Sequence, residues 1–227
     1  MKIKILLIGD SFGCERYYDK NNIVLKNETW PELVKVHFSN HLEIDSNFKP
    51  FRLLEEVIDV VNNNKKKYNF IIIHAGIVDI FPRPLPKKIF RSRKIFARVL
   101  RKIIGTFRYF WLKNIYAKPM NSIEFLDKEL NNLINNHLHT KFVFVNVSKQ
   151  FHKEAIKTPN VVSAIDSFNE MIRLKSLYSK KFEFIDLNSY DSAIYYSSVD
   201  SHFNKEGNNL MFKLISTYIE KECLQKV

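Results

Sequence analysis

A serine lies between two glycines directly after the first largely apolar segment of the chain. Residues 9–13 read Gly-Asp-Ser-Phe-Gly and follow the run at residues 3–8. This spacing fits the G-x-S-x-G pattern, in which a sharp turn after a strand exposes a serine hydroxyl. A serine hydroxyl is a weak nucleophile at neutral pH until a neighbouring base accepts its proton. Ser11 is therefore a candidate nucleophile that needs a base from elsewhere in the chain.

Glycine is scarce, and four of the five glycines lie beside residues that could form a site. Gly9 and Gly13 flank the serine, Gly76 follows a second apolar run, and Gly207 lies just after His202. Glycine permits positive φ and close approach of the backbone. Tight strand-to-helix turns and oxyanion sites require both properties. The glycine positions therefore predict an active site assembled from three separate segments.

These segments need a sheet to bring them together. Five runs rich in Ile, Val and Phe are predicted as strands, at residues 2–8, 42–44, 70–74, 142–147 and 182–187. Helical patterns lie between them, and Thr29-Trp30-Pro31-Glu32 is predicted as a capping box with proline in the first turn. This alternation predicts an α/β protein, a three-layer α/β/α sandwich with a mostly parallel sheet of about five strands. Ligands of such sheets bind outside the carboxyl ends of the strands.

Three sequence blocks together resemble the SGNH (GDSL-type) hydrolase family. A Gly-Asp-Ser follows the first strand, residues 76–79 read Gly-Ile-Val-Asp after the third, and residues 202–207 match an H-x-N-x-x-G ending. In an α/β-hydrolase the nucleophile elbow comes after several strands, whereas Ser11 follows the first. The resemblance implies a flavodoxin-like fold. It spans residues 1–227 as a single domain, apart from residues 84–120.

The resemblance implies a role for each matching residue. Ser11 would be the nucleophile and its backbone N–H an oxyanion donor, His202 the general base, and Asp200 the carboxylate that orients the imidazole. The family's acid usually lies three residues before the histidine, where this chain has Val199. A loop can absorb one residue of slip, so Asp200 is favoured and Asp191 is kept in reserve.

Three further residues near these blocks are interpreted as structural. Asp10 and Asp79 are expected to accept hydrogen bonds from backbone N–H groups of the turns. His74, at the end of a buried strand, is interpreted as a core histidine.

The oxyanion site departs from the family pattern. The third block usually carries an asparagine that donates to the oxyanion, but this chain has Val78, which cannot donate. The second-block glycine has no counterpart between residues 39 and 51. Gly76, Arg83 and a backbone N–H near Asn47 are the candidates to supply what is missing. Loss of one oxyanion donor typically costs ~10²–10³ in rate, so either a replacement exists or the enzyme is slow.

One segment carries the whole excess of positive charge. The net charge is +12, and residues 80–123 contain twelve Lys/Arg and no Asp/Glu. Residues 84–120 are predicted as a basic amphipathic helical insertion, because apolar residues recur at helical spacing within 88–111. Three interpretations are open: a helix packed on the domain with a solvated cationic face, a helix lying on an anionic membrane surface, and a site for an acidic saccharide or a nucleotide-linked or lipid-linked donor. Nucleic acid is not expected as a partner, since no nucleic-acid module is recognisable.

Composition excludes several other classes. Two cysteines form no disulfide framework, and the seven histidines show no metal-ligand spacing, so no metal or cofactor is expected. No apolar stretch reaches the length of a signal peptide core or a membrane span. We therefore expect a cytoplasmic protein, with peripheral attachment to the inner face of the membrane as an option.

These expectations combine into one leading function. The sequence predicts a serine-dependent ester hydrolase that works through an acyl-enzyme, with carbohydrate O-acyl or O-acetyl esters as the substrate class. One alternative is an O-acyltransferase in surface polysaccharide synthesis, which would pass the same acyl group to a sugar hydroxyl. Another is a catalytically weakened SGNH-fold binding protein, which Val78 and the slipped acid would favour.

Overall fold

The computed structural model describes residues 2–17, 23–92, 94–148, 158–197 and 202–224. A five-stranded sheet forms its centre, with the strand order β2-β1-β3-β4-β5 and every neighbouring pair parallel. The strands are β1 (Lys4–Gly9), β2 (Glu43–Phe48), β3 (Phe70–His74), β4 (Lys141–Val145) and β5 (Phe182–Ile185). The three inner strands are buried, in keeping with their nearly continuous apolar sequences.

Helices connect successive strands. In chain order they are α1 (Trp30–His37), α2 (Leu54–Asn62), α3 (Ile77–Ile80), α4 (Lys87–Phe90), α5 (Ile95–Thr106), α6 (Arg108–Asn114), α7 (Ile123–Asn136), α8 (Val161–Tyr178), α9 (Ser192–Tyr195) and α10 (Lys205–Ile219). Short 3₁₀ turns occupy Ser11–Gly13 and Lys26–Glu28, and a π-helical turn at Glu220–Leu224 continues the last helix.

The helices form two layers, one on each face of the sheet. Helix α1 packs on α10, whereas α2 packs on α7 and α7 on α8. This division follows the strand order, because the chain moves outward from β1 to β2 and then in the opposite direction from β2 to β5, as right-handed crossovers would require. The three-layer α/β/α sandwich with a parallel sheet of five strands is thus confirmed.

The predicted capping box at the start of α1 is wrong. The Thr29 hydroxyl donates to the carbonyl of Lys26, and the Glu32 carboxylate accepts from Lys35 and Ser46 instead of the N-cap. The buried N–H of Trp30 is satisfied by the side-chain oxygen of Asn208 at 2.9 Å. A tertiary contact with α10 has replaced the local cap.

The basic insertion leaves and rejoins the domain at one place. The N–H of Arg83 donates to the carbonyl of Lys118 at 2.9 Å, which forms an isolated antiparallel bridge. Nearby, the N–H of Met120 donates to the carbonyl of Asp79 at 2.7 Å. Helices α4, α5 and α6 lie between these contacts, so the insertion begins at the carboxyl edge of the sheet, just after β3 and α3.

Two glycines offer a matched test of this architecture. Gly76 has φ +121°, and a Cβ there would lie 2.3 Å from the Phe168 ring, whereas a Cβ on Gly105 meets nothing within 4 Å. We expect Gly76→Ala to lower the free energy of unfolding by about 1–3 kcal/mol or more, through strain and a steric clash. Gly105→Ala should raise it by about 0.5–1 kcal/mol, because alanine favours a helix interior. Urea unfolding measures both, and equal effects of the two substitutions would contradict the prediction.

Candidate active site

Ser11 and His202 meet at the carboxyl edge of the sheet. The distance from Ser11 Oγ to His202 Nε2 is 2.8 Å, although 191 positions separate the two residues in sequence. Ser11 begins the 3₁₀ turn that follows β1, and His202 lies just before α10. A serine hydroxyl within hydrogen-bond distance of an imidazole nitrogen is the geometry needed to transfer its proton to a base.

Close contact between β1 and β3 produces the turn that carries Ser11. Gly9 pairs with His74 in the sheet, and a Cβ on Gly9 would lie only 2.1 Å from the His74 carbonyl oxygen. Beyond the last ladder pair, the Asp10 N–H donates to that same carbonyl at 3.1 Å. The chain therefore turns immediately after Gly9, and Ser11 is the first residue free of the sheet.

The buried side chain of Asp10 stabilises this turn. Its carboxyl Oδ1 accepts the N–H of Phe12 at 3.1 Å, and the residue has no solvent exposure. Burial raises the pKa of Asp10 to about 8, since the charged form loses its hydration. The group is thus largely protonated at neutral pH. Asp10 accepts a hydrogen bond from a turn N–H, the kind of contact that its structural interpretation requires.

Hydrogen bonds to the Asp79 carboxylate connect three segments of the chain. Its carboxylate accepts from the N–H of Leu54, the first residue of α2, at 2.8 Å and from the Asn121 side-chain amide at 2.6 Å. Burial raises the pKa of Asp79 to about 7. Asn121 in turn accepts from Lys87 in the basic insertion at 2.9 Å. The sequence offered no signal for Asn121 as a partner, because it lies 42 positions away.

An aromatic stack forms the rear wall of the site. The Phe12 ring stacks on His74 with a centroid distance of 4.8 Å and lies 5.4 Å from the His202 ring. Phe203 packs against Phe12 at 5.3 Å. Burial lowers the pKa of His74 to about 3, so this imidazole is neutral across the physiological range. Phe12, a variable position of the serine motif, thus helps to position His202, and the motif alone gave no indication of it.

Asn204 organises the loop that carries His202. Its side-chain oxygen accepts the N–H of Gly207 at 2.8 Å, and its amide donates to the carbonyl of Ile194 at 2.7 Å. The carbonyl of His202 itself accepts the N–H of Ser197 at 2.8 Å. The H-x-N-x-x-G spacing therefore has a structural reason, since the asparagine caps α10 and the histidine precedes it.

The two carboxylates predicted to orient His202 are Asp200 and, in reserve, Asp191. Asp200 lies outside the described residues. Asp191 is exposed and directly precedes α9.

The candidate oxyanion donors differ in burial and in whether their polar groups are already hydrogen-bonded. No acceptor for the backbone N–H of Ser11 is found among the residues that the structure describes. Val78 is buried in the hydrophobic core. Asn47 is occupied by Arg52, whose guanidinium donates to its carbonyl at 2.7 Å and to its side-chain oxygen at 2.9 Å. Gly76 caps α3, and its carbonyl accepts the N–H groups of residues 79 and 80.

The Arg83 guanidinium lies close to two aromatic rings. Its guanidinium carbon lies 5.0 Å from the centroids of both Phe81 and Phe90, which is a cation–π arrangement. The side chain is half-buried, on the loop that follows α3. Phe90 belongs to the basic insertion, so Arg83 lies where the insertion meets the core domain.

Asp10 allows a test of the electrostatics beneath the nucleophile. An unfolded chain ionises this carboxyl near pH 3.8 and the folded chain near 8, so the folded state binds more protons between these values. Its contribution to stability is therefore greatest below pH 4 and is lost as the pH rises toward 8. Asp10→Asn keeps an oxygen for the Phe12 N–H but cannot ionise. As the pH rises across this range, we expect the free energy of unfolding of the variant to increase relative to that of the wild type. Urea unfolding at several pH values measures this difference. Parallel pH profiles of the two proteins would contradict the assignment.

Comparison with known proteins identifies the fold. No protein-family model matches the chain, and no curated protein matches its sequence. Solved structures do match over nearly the full length. A lipase/acylhydrolase from Enterococcus faecalis has 14% identity and a TM-score of 0.62, with 96% of each chain covered. A member of the lipolytic protein G-D-S-L family from Veillonella parvula has 15% identity and a TM-score of 0.59, covering 99% of this chain and 100% of that one.

A third neighbour is described as a carbohydrate acetylesterase family member from Sinorhizobium meliloti. It has 12% identity and a TM-score of 0.60, with 97% of this chain and 98% of that one covered. At these identities the likeness establishes the fold. The chain therefore has the fold of the GDSL-type, or SGNH, hydrolases, as its three sequence blocks predict.

Proposed function

We propose that this protein is a serine-dependent ester hydrolase in which Ser11 is the nucleophile and His202 the general base. The observation that carries this proposal is the distance of 2.8 Å between Ser11 Oγ and His202 Nε2. The fold supports it, since the structural neighbours include a lipase/acylhydrolase and a carbohydrate acetylesterase family member. A fold alone does not determine an activity, so the proposal depends chiefly on the serine–histidine pair.

The reaction proceeds in two halves. Ser11 Oγ attacks the ester carbonyl carbon while His202 Nε2 accepts the hydroxyl proton, and the carbonyl oxygen becomes an oxyanion. When the tetrahedral intermediate collapses, the alcohol leaves with the proton from His202, and the acyl group stays on Ser11. A water molecule then attacks the acyl-enzyme while His202 accepts its proton. When this second tetrahedral intermediate collapses, the bond to Ser11 Oγ breaks, His202 returns the proton to Ser11 Oγ, and the carboxylic acid is released. Asp200 is the proposed partner that orients His202.

A groove beside the nucleophile turn suits a saccharide ester. It has a volume of ≈ 680 Å³ and is lined by Gly13, at the end of the turn, and by the following Cys14, but by neither Ser11 nor His202. Tyr17, Glu32, Lys35 and Ser46 supply an aromatic ring, two charges and a hydroxyl. Small-molecule sites commonly have volumes of about 300–1,000 Å³ with a few polar groups. We propose O-acyl groups on a carbohydrate as the substrate class.

Removal of the nucleophile tests the proposed function. We expect Ser11→Ala to reduce hydrolysis of an activated ester such as p-nitrophenyl acetate by about 10³-fold or more, because Ser11 Oγ is the proposed acceptor of the acyl group. A fluorophosphonate probe should label the wild type and not this variant. Ser39→Ala is the matched control, since that hydroxyl is exposed and donates only to the carbonyl of Val36.

Two outcomes would point elsewhere. A folded wild type that the probe does not label would contradict the hydrolase and favour a binding protein with this fold. Acetate release that depends on an added sugar acceptor would identify an O-acyltransferase instead.

Arg83 is the proposed substitute for the missing oxyanion donor. Two observations support it, namely its position close to the Phe81 and Phe90 rings and its place on the loop after Val78. We expect Arg83→Ala to lower kcat by about 10²–10³, the usual cost of losing one such donor. The control is Arg91→Ala, because Arg91 pairs with Glu56 at 2.9 Å on the surface. An unchanged kcat in Arg83→Ala would rule out this role and leave the Ser11–His202 proposal intact.

A further inference from the structure

Helix α5 and the segment after it expose an apolar surface, which we call the apolar face. Its members are large side chains that lie on the outside of the insertion, namely Ile95, Phe96, Val99, Ile103, Phe107 and Phe110. Phe96, Ile103 and Phe110 are 74%, 56% and 58% exposed. Positions 95, 99 and 103 follow one another at i, i+4 and i+8, so they lie along one side of the helix. Monomeric proteins rarely expose a contiguous apolar patch of this kind without a binding role.

The side of the insertion opposite the apolar face is buried. Ala97, Ile104 and Leu112 are buried. Arg101 donates to the carbonyls of residues 89, 90 and 92 at 3.2, 2.7 and 2.8 Å. Arg108 lies 5.4 Å from the Phe81 ring and donates to Thr158 at 3.1 Å. These contacts determine which side of α5 faces outward. The large apolar side chains at positions 96, 99, 103, 107 and 110 of the predicted helical pattern are thus exposed.

The charged side chains that the insertion places around the apolar face are all cationic. Lys94, Arg98, Lys102 and Lys113 are exposed, and none forms an ion pair with another residue that the structure describes. Residues 80–123 contain no acidic side chain. A second copy of the chain on this face would bring two such cationic segments together, and like charges repel. An anionic surface with an apolar interior complements both properties.

We propose that the apolar face binds the surface of an anionic lipid bilayer. The aromatic and aliphatic side chains would enter the boundary between headgroups and acyl chains, and the flanking cations would contact the anionic headgroups. Among the described residues, no helix is long and apolar enough to cross a membrane. The insertion begins at the carboxyl edge of the sheet, after β3, the edge that also holds Ser11. The proposal concerns binding alone and does not depend on ester hydrolysis.

Vesicle sedimentation tests this proposal. The full-length protein should pellet with vesicles of equimolar phosphatidylglycerol and phosphatidylcholine, and much less with phosphatidylcholine alone. The combined variant Phe96→Ser, Ile103→Ser and Phe110→Ser should weaken the partition by about tenfold or more through lost apolar burial. The matched control replaces three exposed apolar residues outside the insertion, Val36→Ser, Leu138→Ser and Leu177→Ser, and should bind like the wild type.

The cationic contribution has its own pair of variants. Arg98→Gln with Lys102→Gln should weaken binding by about fivefold for each charge removed. Lys180→Gln with Lys213→Gln changes the net charge equally at exposed positions outside the insertion and should have little effect. Added salt should weaken binding of the wild type, since the Debye length shortens.

Three results would overturn the proposal. They are equal pelleting of the wild type on both vesicle types, equal losses in the two serine variants, and a lipid-free dimer that only Phe96→Ser, Ile103→Ser and Phe110→Ser dissociates. The last result would assign the apolar face to a second copy of the chain. Circular dichroism and urea unfolding verify that each variant is folded, which is expected because the replaced side chains are exposed.

Discussion

The contact between the ends of β1 and β3 is the constraint on which the site depends. Gly9 lies so close to the His74 carbonyl that no side chain fits between them, and the Asp10 N–H then donates to the same oxygen. The chain must leave the sheet at this point, so Ser11 is presented at its edge. The same contact places Phe12 over the His74 ring, and Phe12 borders His202. One backbone approach thus determines the positions of both the nucleophile and the wall behind its base.

Two buried carboxyl groups sustain this arrangement at an electrostatic cost. Burial raises the pKa of Asp10 to about 8 and that of Asp79 to about 7, so much of their population is protonated near neutrality. A carboxyl can remain buried when it accepts hydrogen bonds that would otherwise be missing. The Asp10 carboxyl accepts the N–H of Phe12 in the turn, and the Asp79 carboxyl accepts the N–H of Leu54 at the start of α2. Through Asn121 and Lys87, Asp79 also connects the site to the basic insertion.

The insertion inverts the usual arrangement of an amphipathic helix. Ala97 and Ile104 are buried, while Phe96 and Phe110 are exposed. Two arginines on the buried side stabilise this orientation. Arg101 donates a hydrogen bond to a carbonyl at the end of α4, and Arg108 packs on Phe81. The helical spacing and the absence of acidic residues are visible in the sequence. The side that faces outward follows from these tertiary contacts.

Much of the fold was predictable because the inner strands are fully buried and read as continuous apolar runs. The edge strand β2 was predicted too short, since its polar end at residues 45–47 carries no apolar signal and depends on pairing with β1. The capping box was predicted wrongly for a similar reason, because the side-chain oxygen of Asn208 on a distant helix accepts the N–H of Trp30.

The sequence by itself determined the parallel α/β architecture, the order of the three blocks and the serine–histidine pair worth testing. Hydrophobic periodicity encodes the architecture, whereas the roles of Ser11 and His202 follow from the resemblance of the three blocks to the SGNH family. Only the tertiary structure decided the 2.8 Å approach of Ser11 to His202, the aromatic wall of Phe12 and the outward direction of the apolar face. Each of these arises from contacts between segments far apart in the chain, and no local pattern of residues records such contacts.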